Sequence, residues 1–262
     1  MTLLYIVLAT LAGGLLSVLI AAALNVTVLA RLVRNLVSLS TGILLGTALL
    51  QVLPEAFEGH KVEPHLLFAT LLCGLLAFFL LEKAELYRHG HHHEGDDPHH
   101  HHHHGFDAEQ AGSGGWSVLI GDSIHNFCDG VIIAAAFLAD THLGIATAGA
   151  VVAHEIPQEV GDFIVLVNAG LSRARALAYN ALSGLASVAG GVLGWFVVGP
   201  WQELFPFLLV VAASSFIYVA VADLMPQLQR RLSWRDTASQ LGWMVGGLGL
   251  VALAARGVGH AH

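Results

Sequence analysis

The chain has 262 residues, of which 55% are hydrophobic and only 11% are charged, and its mean hydropathy is +0.69. Soluble domains average about 25% charged residues, so this composition excludes an ordinary soluble protein. The net charge of −8 offers no basic face for nucleic acid, and the two cysteines, Cys73 and Cys128, lie in apolar segments, where they indicate neither a disulfide framework nor a cysteine-based zinc site.

Eight segments are apolar over about the 20 residues that a helix needs to cross a bilayer. The pattern therefore predicts an all-α protein, a polytopic bundle of eight transmembrane helices that forms one domain over residues 1–262 in the lipid bilayer. The first segment lacks a small-residue cleavage pattern, so we interpret it as a retained helix. The predicted segments are residues 3–30, 36–56, 66–87, 116–139, 143–169, 173–198, 205–229 and 238–256.

Positive charges at the segment ends indicate the orientation of the chain. Nine of the 11 lysines and arginines lie at ends that share one side, which the positive-inside rule makes cytoplasmic. Both termini are then expected outside, and a short chain without an outer domain favours a bacterial inner membrane. The nine residues are Arg31, Arg34, Lys83, Arg88, Arg173, Arg175, Arg230, Arg231 and Arg235.

A histidine-rich segment, residues 88–115, separates the third apolar segment from the fourth on the predicted cytoplasmic side. It holds ten of the 17 histidines and is too polar to bury a core, so we expect a disordered loop. Histidine-rich tracts are typical of metal binding; the alternative is a solvated linker that binds metal incidentally. The histidines expected to bind metal are His91, His92, His93, His99, His100, His101, His102, His103 and His104.

The fourth segment carries ionisable side chains at its centre. Each such group costs about 2.5 to 3.5 kcal/mol on membrane-insertion scales, so it needs a partner. Residues three or four apart share a face of a helix, which aligns Asp122, His125 and Asp129, with Asn126 on the adjoining edge. A bound cation would be a suitable partner for this face.

The fifth segment carries a matching set of polar residues. His154 and Gln158 form one ridge, and Glu155, Glu159 and Asp162 form the next. Imidazole nitrogens combined with carboxylate and amide oxygens suit divalent metals, Zn²⁺ above all, with Fe²⁺, Mn²⁺, Co²⁺ and Cd²⁺ as competitors.

Pro157 lies inside the fifth segment. A proline there removes one backbone hydrogen bond and frees the carbonyl of Ala153, four residues earlier. Within a membrane such a break is tolerated where it borders a polar cavity. A lone proline would be explained by a kink alone, but the polar residues on both sides favour a functional break.

The two motifs together resemble a known family. H-N-F-x-D-G at His125 to Gly130 and H-E-x-P-x-E-x-G-D at His154 to Asp162 are similar, in order and spacing, to transmembrane helices 4 and 5 of the ZIP family of divalent metal transporters, in the variant of its LIV-1-like branch. That branch usually has a second histidine where this chain has Gln158. The departure bears on metal preference.

The resemblance implies import of Zn²⁺, and also of Fe²⁺, Mn²⁺ or Cd²⁺, from outside into the cytoplasm. It further implies a homodimer, and a bundle in which segments 1, 4, 5 and 6 move against 2, 3, 7 and 8. Residue by residue, the implied principal metal site consists of His125, Asp129, His154, Glu155 and Gln158. A neighbouring second site would use Asn126, Asp129, Glu155 and Gln158, with the carboxylates shared.

Two other segments end in similar patterns. The second ends in Gln51-Val52-Leu53-Pro54, and the seventh in Asp223-Leu224-Met225-Pro226. The similarity hints at a repeat between the first three and the last three segments, as is common in transporters. Simple helix termination by Pro54 and Pro226 explains the pattern equally well.

The sixth segment is rich in small residues, which favours close helix packing. Ser187 follows Gly184-Leu185-Ala186, where several ZIP branches have a metal-ligating glutamate. The site is therefore expected to be built almost wholly from the fourth and fifth segments. We assign accessory positions along the pathway to Asp122, Glu159, Asp162, Gln51 and Ser187.

Other classes of protein use similar residues. His154-Glu155 begins like an H-E-x-x-H zinc-protease helix, but Gln158 replaces the second histidine and Pro157 interrupts the motif, so we do not expect an enzyme. A metal-gated channel or a membrane metal sensor could use the same ligands, and both remain alternatives to a transporter.

Overall fold

The structure is a computed structural model that describes residues 1–23, 26–58, 62–90, 111–168, 171–229 and 233–258. Over these ranges the chain forms helices and no strand. The α-helices are α1 Thr2–Ala23, α2 Val26–Thr47, α3 Leu53–Phe57, α4 Pro64–Gly90, α5 Ala111–Ala139, α6 Thr141–Asn168, α7 Arg173–Val198, α8 Phe205–Tyr218, α9 Met225–Gln229 and α10 Trp234–Val258. Short α3 continues the line of α2, and short α9 that of α8.

Six of these helical stretches are long and apolar enough to cross a membrane by length and composition. They confirm an all-α, polytopic membrane protein. The two predicted segments that fall below this standard are α6 and α10. Helix α6 carries the polar residues of the H-E-x-P-x-E motif at its centre, and α10 is rich in glycine.

Helices extend further than predicted on both sides of the histidine-rich loop. Helix α4 ends at Gly90 and α5 begins at Ala111, so the edges of the predicted loop 88–115 are helical. Residues 91–110, with the nine predicted metal-binding histidines, lie outside the described residues.

Two π-helical turns interrupt the long helices at the paired proline motifs. Ala48–Val52 precedes Pro54, and Val219–Leu224 precedes Pro226. Because proline has no amide hydrogen, it cannot continue the regular ladder of hydrogen bonds, and a wider turn is one way to accommodate it. The similarity between the second and seventh segments thus extends to the backbone.

Helices α1, α5, α6 and α7 pack together, with the most extensive contact between α5 and α7. Glycines allow the backbones of α5 and α7 to approach each other closely. A Cβ atom on Gly190 would overlap the carbonyl of Phe127, and one on Gly130 would overlap the carbonyl of Ser187. Helix α1 joins them where a Cβ on Gly14 would lie 3.2 Å from the Cα of Gly184. We call these four helices the first group.

The remaining long helices form two tight pairs, α2 with α10 and α4 with α8, which we call the second group. Here Gly42 lies against the backbone of Met244, and Gly74 lies against the side chain of Ser214. Helix α2 also packs along α6 and so joins the groups. The largest apolar core takes side chains from both, including Ile133 of α5 and Phe216 of α8.

The contact between α5 and α7 predicts a large effect for a small substitution. Gly190→Ala should destabilise the protein by about 1 to 3 kcal/mol or more, because its methyl group collides with backbone and not with a movable side chain. Gly149→Ala in α6 is the control, since nothing lies within 4 Å of the added atom; it should be neutral or stabilise the helix by about 0.5 to 1 kcal/mol. Thermal unfolding in detergent measures both, and equal stability of the two variants would contradict the close contact.

Candidate metal centre

The connection between α5 and α6 sets the register of the two motifs. One residue, Asp140, joins the helices, and its Oδ1 accepts hydrogen bonds from the amides of His142 and Leu143 at 2.8 and 2.9 Å, which caps α6. His125 and Glu155 each lie 15 residues from Asp140. Antiparallel helices with equal rise per residue therefore bring both motifs to one level.

Four side chains meet at this level: His125 and Asp129 from α5, and His154 and Glu155 from α6. One potential ligand atom from each lies within 4.8 Å of all the others. The Nε2 atom of His154 is 2.9 Å from Oδ2 of Asp129 and 3.6 Å from Oε1 of Glu155. The Nε2 atom of His125 is 3.3 Å from that of His154 and 3.6 Å from Oε1 of Glu155.

The two carboxylates of this cluster are buried, with Asp129 1% and Glu155 2% exposed. Neither oxygen of Glu155 has a hydrogen-bond partner. Within the described part of the chain, their ion-pair partners are the two histidines and not a lysine or arginine. Buried carboxylates whose charge is not compensated are costly, and a cation placed among these four residues would reduce that cost.

His154 is oriented by its surroundings as metal-binding histidines are. Its Nδ1 lies 3.1 Å from the carbonyl oxygen of Ala150, and since a carbonyl only accepts, Nδ1 donates. The Nε2 atom then faces the other three side chains of the cluster, an orientation that such a supporting contact commonly gives to metal-binding histidines. The ring of Phe216 lies edge-on to the imidazole, with centroids 6.3 Å apart.

Helix α6 continues through Pro157 without a break, and the carbonyl that the proline frees has a partner on another helix. Ser40 of α2 donates a hydrogen bond to the carbonyl of Ala153, the group that lacks its helical donor because of the proline. Ala153 directly precedes His154. The contact therefore holds the backbone of the metal centre to the second group of helices.

A second polar layer lies one helical turn away from the four residues, further from Asp140. Asp122 and Gln158 are equidistant from Asp140, 18 residues each, and Nε2 of Gln158 donates to Oδ1 of Asp122 at 3.4 Å. Nδ2 of Asn126 donates to the same oxygen at 3.0 Å. Asn126 and Gln158 thus contact Asp122, beside the four-residue cluster, while Glu159 is fully buried in the same layer.

The other accessory residues lie at helix contacts. Nε2 of Gln51 donates to the carbonyl of Val251 in α10 at 3.3 Å, and Ser187 is buried where α5 meets α7. The sequence did not point to Ser40 or Phe216, or to Ser183 of α7, which lies beside Asp122 and Glu159. Their only sequence signal is a small or aromatic residue in an apolar helix, and this is shared by many positions.

The fold and the centre define a polytopic helical membrane protein with a buried histidine and carboxylate site suited to a divalent metal. The family model described as ZIP Zinc transporter matches residues 83–255, which include α5 to α9 and nearly all of α10. The chain belongs to this family. The resemblance predicted from the two motifs is therefore confirmed, and the family consists of transporters and not of enzymes.

Several curated proteins are similar to about half of the chain. The chain is 41% identical over 130 residues to Zinc transporter ZIP10 of Danio rerio, which covers 50% of this chain and 15% of that protein. It is 38% identical over 141 residues to Zinc transporter foi of Drosophila melanogaster, covering 53% and 20%. It is 38% identical over 136 residues to Zinc transporter ZIP4 of Homo sapiens, covering 52% and 20%. The chain thus spans a fifth or less of the length of these relatives, all of which are eukaryotic.

The contact at Pro157 predicts a specific cost. Ser40→Ala should destabilise the protein by about 1 to 3 kcal/mol, because it leaves the partly buried Ala153 carbonyl without a donor. Thr41→Val is the matched control, since the Thr41 hydroxyl donates at 2.8 Å to the carbonyl of Val37 in its own helix, and should cost less. Urea or thermal unfolding in detergent gives the comparison; a larger loss in the control would contradict the assigned contact.

Proposed function

We propose that the chain imports divalent metal ions, Zn²⁺ first, across the membrane through the centre between α5 and α6. The observation that carries this proposal is the convergence of His125, Asp129, His154 and Glu155, with carboxylates buried and short of partners. Membership of the ZIP zinc transporter family supports divalent metal transport as the general activity. The relatives named above are themselves zinc transporters, which supports the same activity.

The donor set favours transition metals over magnesium or calcium. Two imidazoles and two carboxylates provide the mixed nitrogen and oxygen ligands that Zn²⁺ prefers, in a number that allows four-coordination. Fe²⁺, Mn²⁺ and Cd²⁺ are proposed as competing ions because each accepts the same ligands. Asn126 and Gln158, in the adjoining layer, are proposed to complete the coordination with their amide oxygens when the ion moves.

A transporter must bind the ion and then release it on the other side. The separation of the long helices into two groups supports such a change, since backbone contacts through glycine occur within each group and the Ser40 contact lies between them. The division coincides with the one that the family resemblance implies for moving and static helices. A channel or a sensor would not require two groups of this kind.

We propose that both termini face outside, because the positively charged ends then lie in the cytoplasm. In that orientation the ends of α5 and α6 near Asp140 face outward, and the layer with Asp122 and Glu159 lies on the cytoplasmic side of the centre. A bacterial inner membrane and a homodimer, the latter implied by the family resemblance, are further parts of the proposal.

Substitutions in the centre should abolish uptake selectively. Asp129→Ala and Glu155→Ala each remove a buried carboxylate that would compensate the charge of the ion, so ⁶⁵Zn uptake into proteoliposomes should fall by more than about tenfold, equivalent to roughly 1.4 kcal/mol. Glu203→Ala, in an exposed turn before α8, is the control and should transport normally.

The two centre variants must be compared with wild type at equal reconstitution and equal thermal stability. Normal uptake by both would remove the support for this site. Uptake that never saturates with zinc concentration would favour a channel over a carrier.

Gln158 should influence metal preference. An amide oxygen is a harder, neutral ligand compared with imidazole, so Gln158→His should raise the preference for Zn²⁺ over Mn²⁺ and Fe²⁺. The measurement is competition by Mn²⁺ and Fe²⁺ against ⁶⁵Zn uptake in wild type and variant. Gln158→Asn, which keeps the amide but shortens the reach, is the control for a change of shape. A shift toward Mn²⁺ in the histidine variant would show that Gln158 is not a ligand.

A further inference from the structure

His154 is held by two neighbouring helices as well as by its own. Within α6 its Nδ1 atom donates to the carbonyl oxygen of Ala150 at 3.1 Å, and the ring of Phe216 of α8 lies edge-on to it. Ser40 of α2 acts on the backbone, since its hydroxyl donates to the carbonyl of Ala153, the residue before His154. The histidine is only 1% exposed, so close packing leaves its imidazole few alternative orientations.

The carbonyl of Ala153 depends on Ser40 because its usual partner is missing. In a regular helix this carbonyl would accept from the amide of residue 157, but Pro157 has no amide hydrogen. Helix α6 nevertheless continues through the proline. Ser40 is 1% exposed, so water has no ready access to replace its hydroxyl. Ser40 thus supplies the donor that the proline removes.

The peptide unit that accepts this hydrogen bond also carries His154. A peptide unit is planar, and the Ala153 carbonyl shares its plane with the nitrogen and Cα atoms of His154. A bond that restrains the carbonyl therefore restrains the direction in which the imidazole leaves the helix. Nε2 of His154 lies 2.9 Å from Oδ2 of Asp129, and a tilt of the peptide plane would displace it from the other potential ligand atoms.

We propose that Ser40 is a positioning residue of the metal centre, and that its hydrogen bond to the Ala153 carbonyl sets the preference for Zn²⁺. The inference rests on the proposed function and assigns to it a residue that lies outside the two motifs. Ser40 does not bind the ion itself and acts through His154. Removal of a group that orients a ligand in this way typically lowers metal affinity about 10- to 100-fold.

The expected effect differs between metals. His154 offers an imidazole nitrogen, which suits Zn²⁺, whereas Mn²⁺ relies more on carboxylate oxygens such as those of Asp129 and Glu155. Loss of the Ser40 contact should therefore weaken zinc binding more than manganese binding. A serine that only stabilised the fold would leave the ratio of the two affinities unaltered.

Equilibrium titration of the full chain in detergent with Zn²⁺ or Mn²⁺, well below the unfolding temperature, tests this role. Metal bound elsewhere, including any on the histidine-rich segment, is the part that persists in Glu155→Ala, and it is subtracted. Ser40→Ala should weaken zinc binding at the centre about tenfold and manganese binding by less than about threefold. Equal losses for the two ions, or unchanged zinc binding, would overturn the proposal.

Two substitutions on α2 provide matched controls. Ser40→Thr should bind zinc within about twofold of wild type, because it keeps the hydroxyl donor. Thr41→Val removes the neighbouring hydroxyl, which donates to the carbonyl of Val37 in its own helix at 2.8 Å, and should bind zinc as wild type does. Equal loss of zinc affinity in Ser40→Thr and Ser40→Ala would assign the effect to side-chain shape and reject the role of the hydrogen bond.

Pro157 provides an independent test of the route through Ala153. Pro157→Ala restores an amide hydrogen that can donate to the Ala153 carbonyl, so Ser40 is no longer its sole donor. In that background Ser40→Ala should weaken zinc binding by less than about threefold, a coupling that a double-mutant cycle measures. The same loss in both backgrounds would contradict the route. If Pro157→Ala does not fold, the zinc and manganese affinities of the Ser40 variants decide alone.

Transport separates this inference from the proposed function. Ser40→Ala should raise KM for ⁶⁵Zn uptake about tenfold and change the maximal rate by less than about twofold, the pattern expected when binding alone is weakened. A loss of stability alone would lower the maximal rate and leave KM unchanged. Zinc-selective loss of affinity without uptake by wild type would reject the transport function but keep the positioning role. Wild-type uptake with unaltered zinc affinity in Ser40→Ala would reject the positioning role alone.

Discussion

The burial of carboxylates inside membrane-length helices is the constraint on which the rest of this structure depends. Asp122, Asp129, Glu155 and Glu159 are all nearly inaccessible, and each would cost several kcal/mol in an apolar interior without a partner. The register of the α5 and α6 hairpin arranges them in two layers, one with histidines and one with amides. In the described part of the chain the ion-pair partners of Asp129 and Glu155 are His125 and His154, and a cation would compensate the charge of the two carboxylates.

The backbone is subject to a similar constraint, because hydrogen-bonding groups cannot be left open within a membrane. Three prolines lie within long helical stretches, and the structure accommodates them in two ways. Pro54 and Pro226 follow π-helical turns. Pro157 frees a carbonyl that Ser40 of another helix satisfies. Pro157 lies within the H-E-x-P-x-E motif, so the hydrogen bond from Ser40 also connects this motif to a neighbouring helix.

Glycine determines how the helices are grouped. Between α5 and α7 the backbones approach so closely that a methyl group at Gly190 or Gly130 would not fit, and α2 and α10 meet in the same manner. Contacts of this kind resist sliding. Helix α2 also packs along α6, where the Ser40 hydroxyl donates to the carbonyl of Ala153, directly before His154.

The sequence by itself determined the class of protein and most of its helices, because hydropathy and helical periodicity are local properties, and it supplied the hypothesis for the residues of the centre. It placed His125, Asp129, His154 and Glu155 on two faces, and the family model confirms the resemblance that these motifs carry. Only the tertiary structure decided that the four converge within 4.8 Å, that Gln158 contacts Asp122, and that Ser40 satisfies Ala153. Ser40 and Ala153 are 113 positions apart, and no local pattern pairs two such residues, since their contact depends on how whole helices pack.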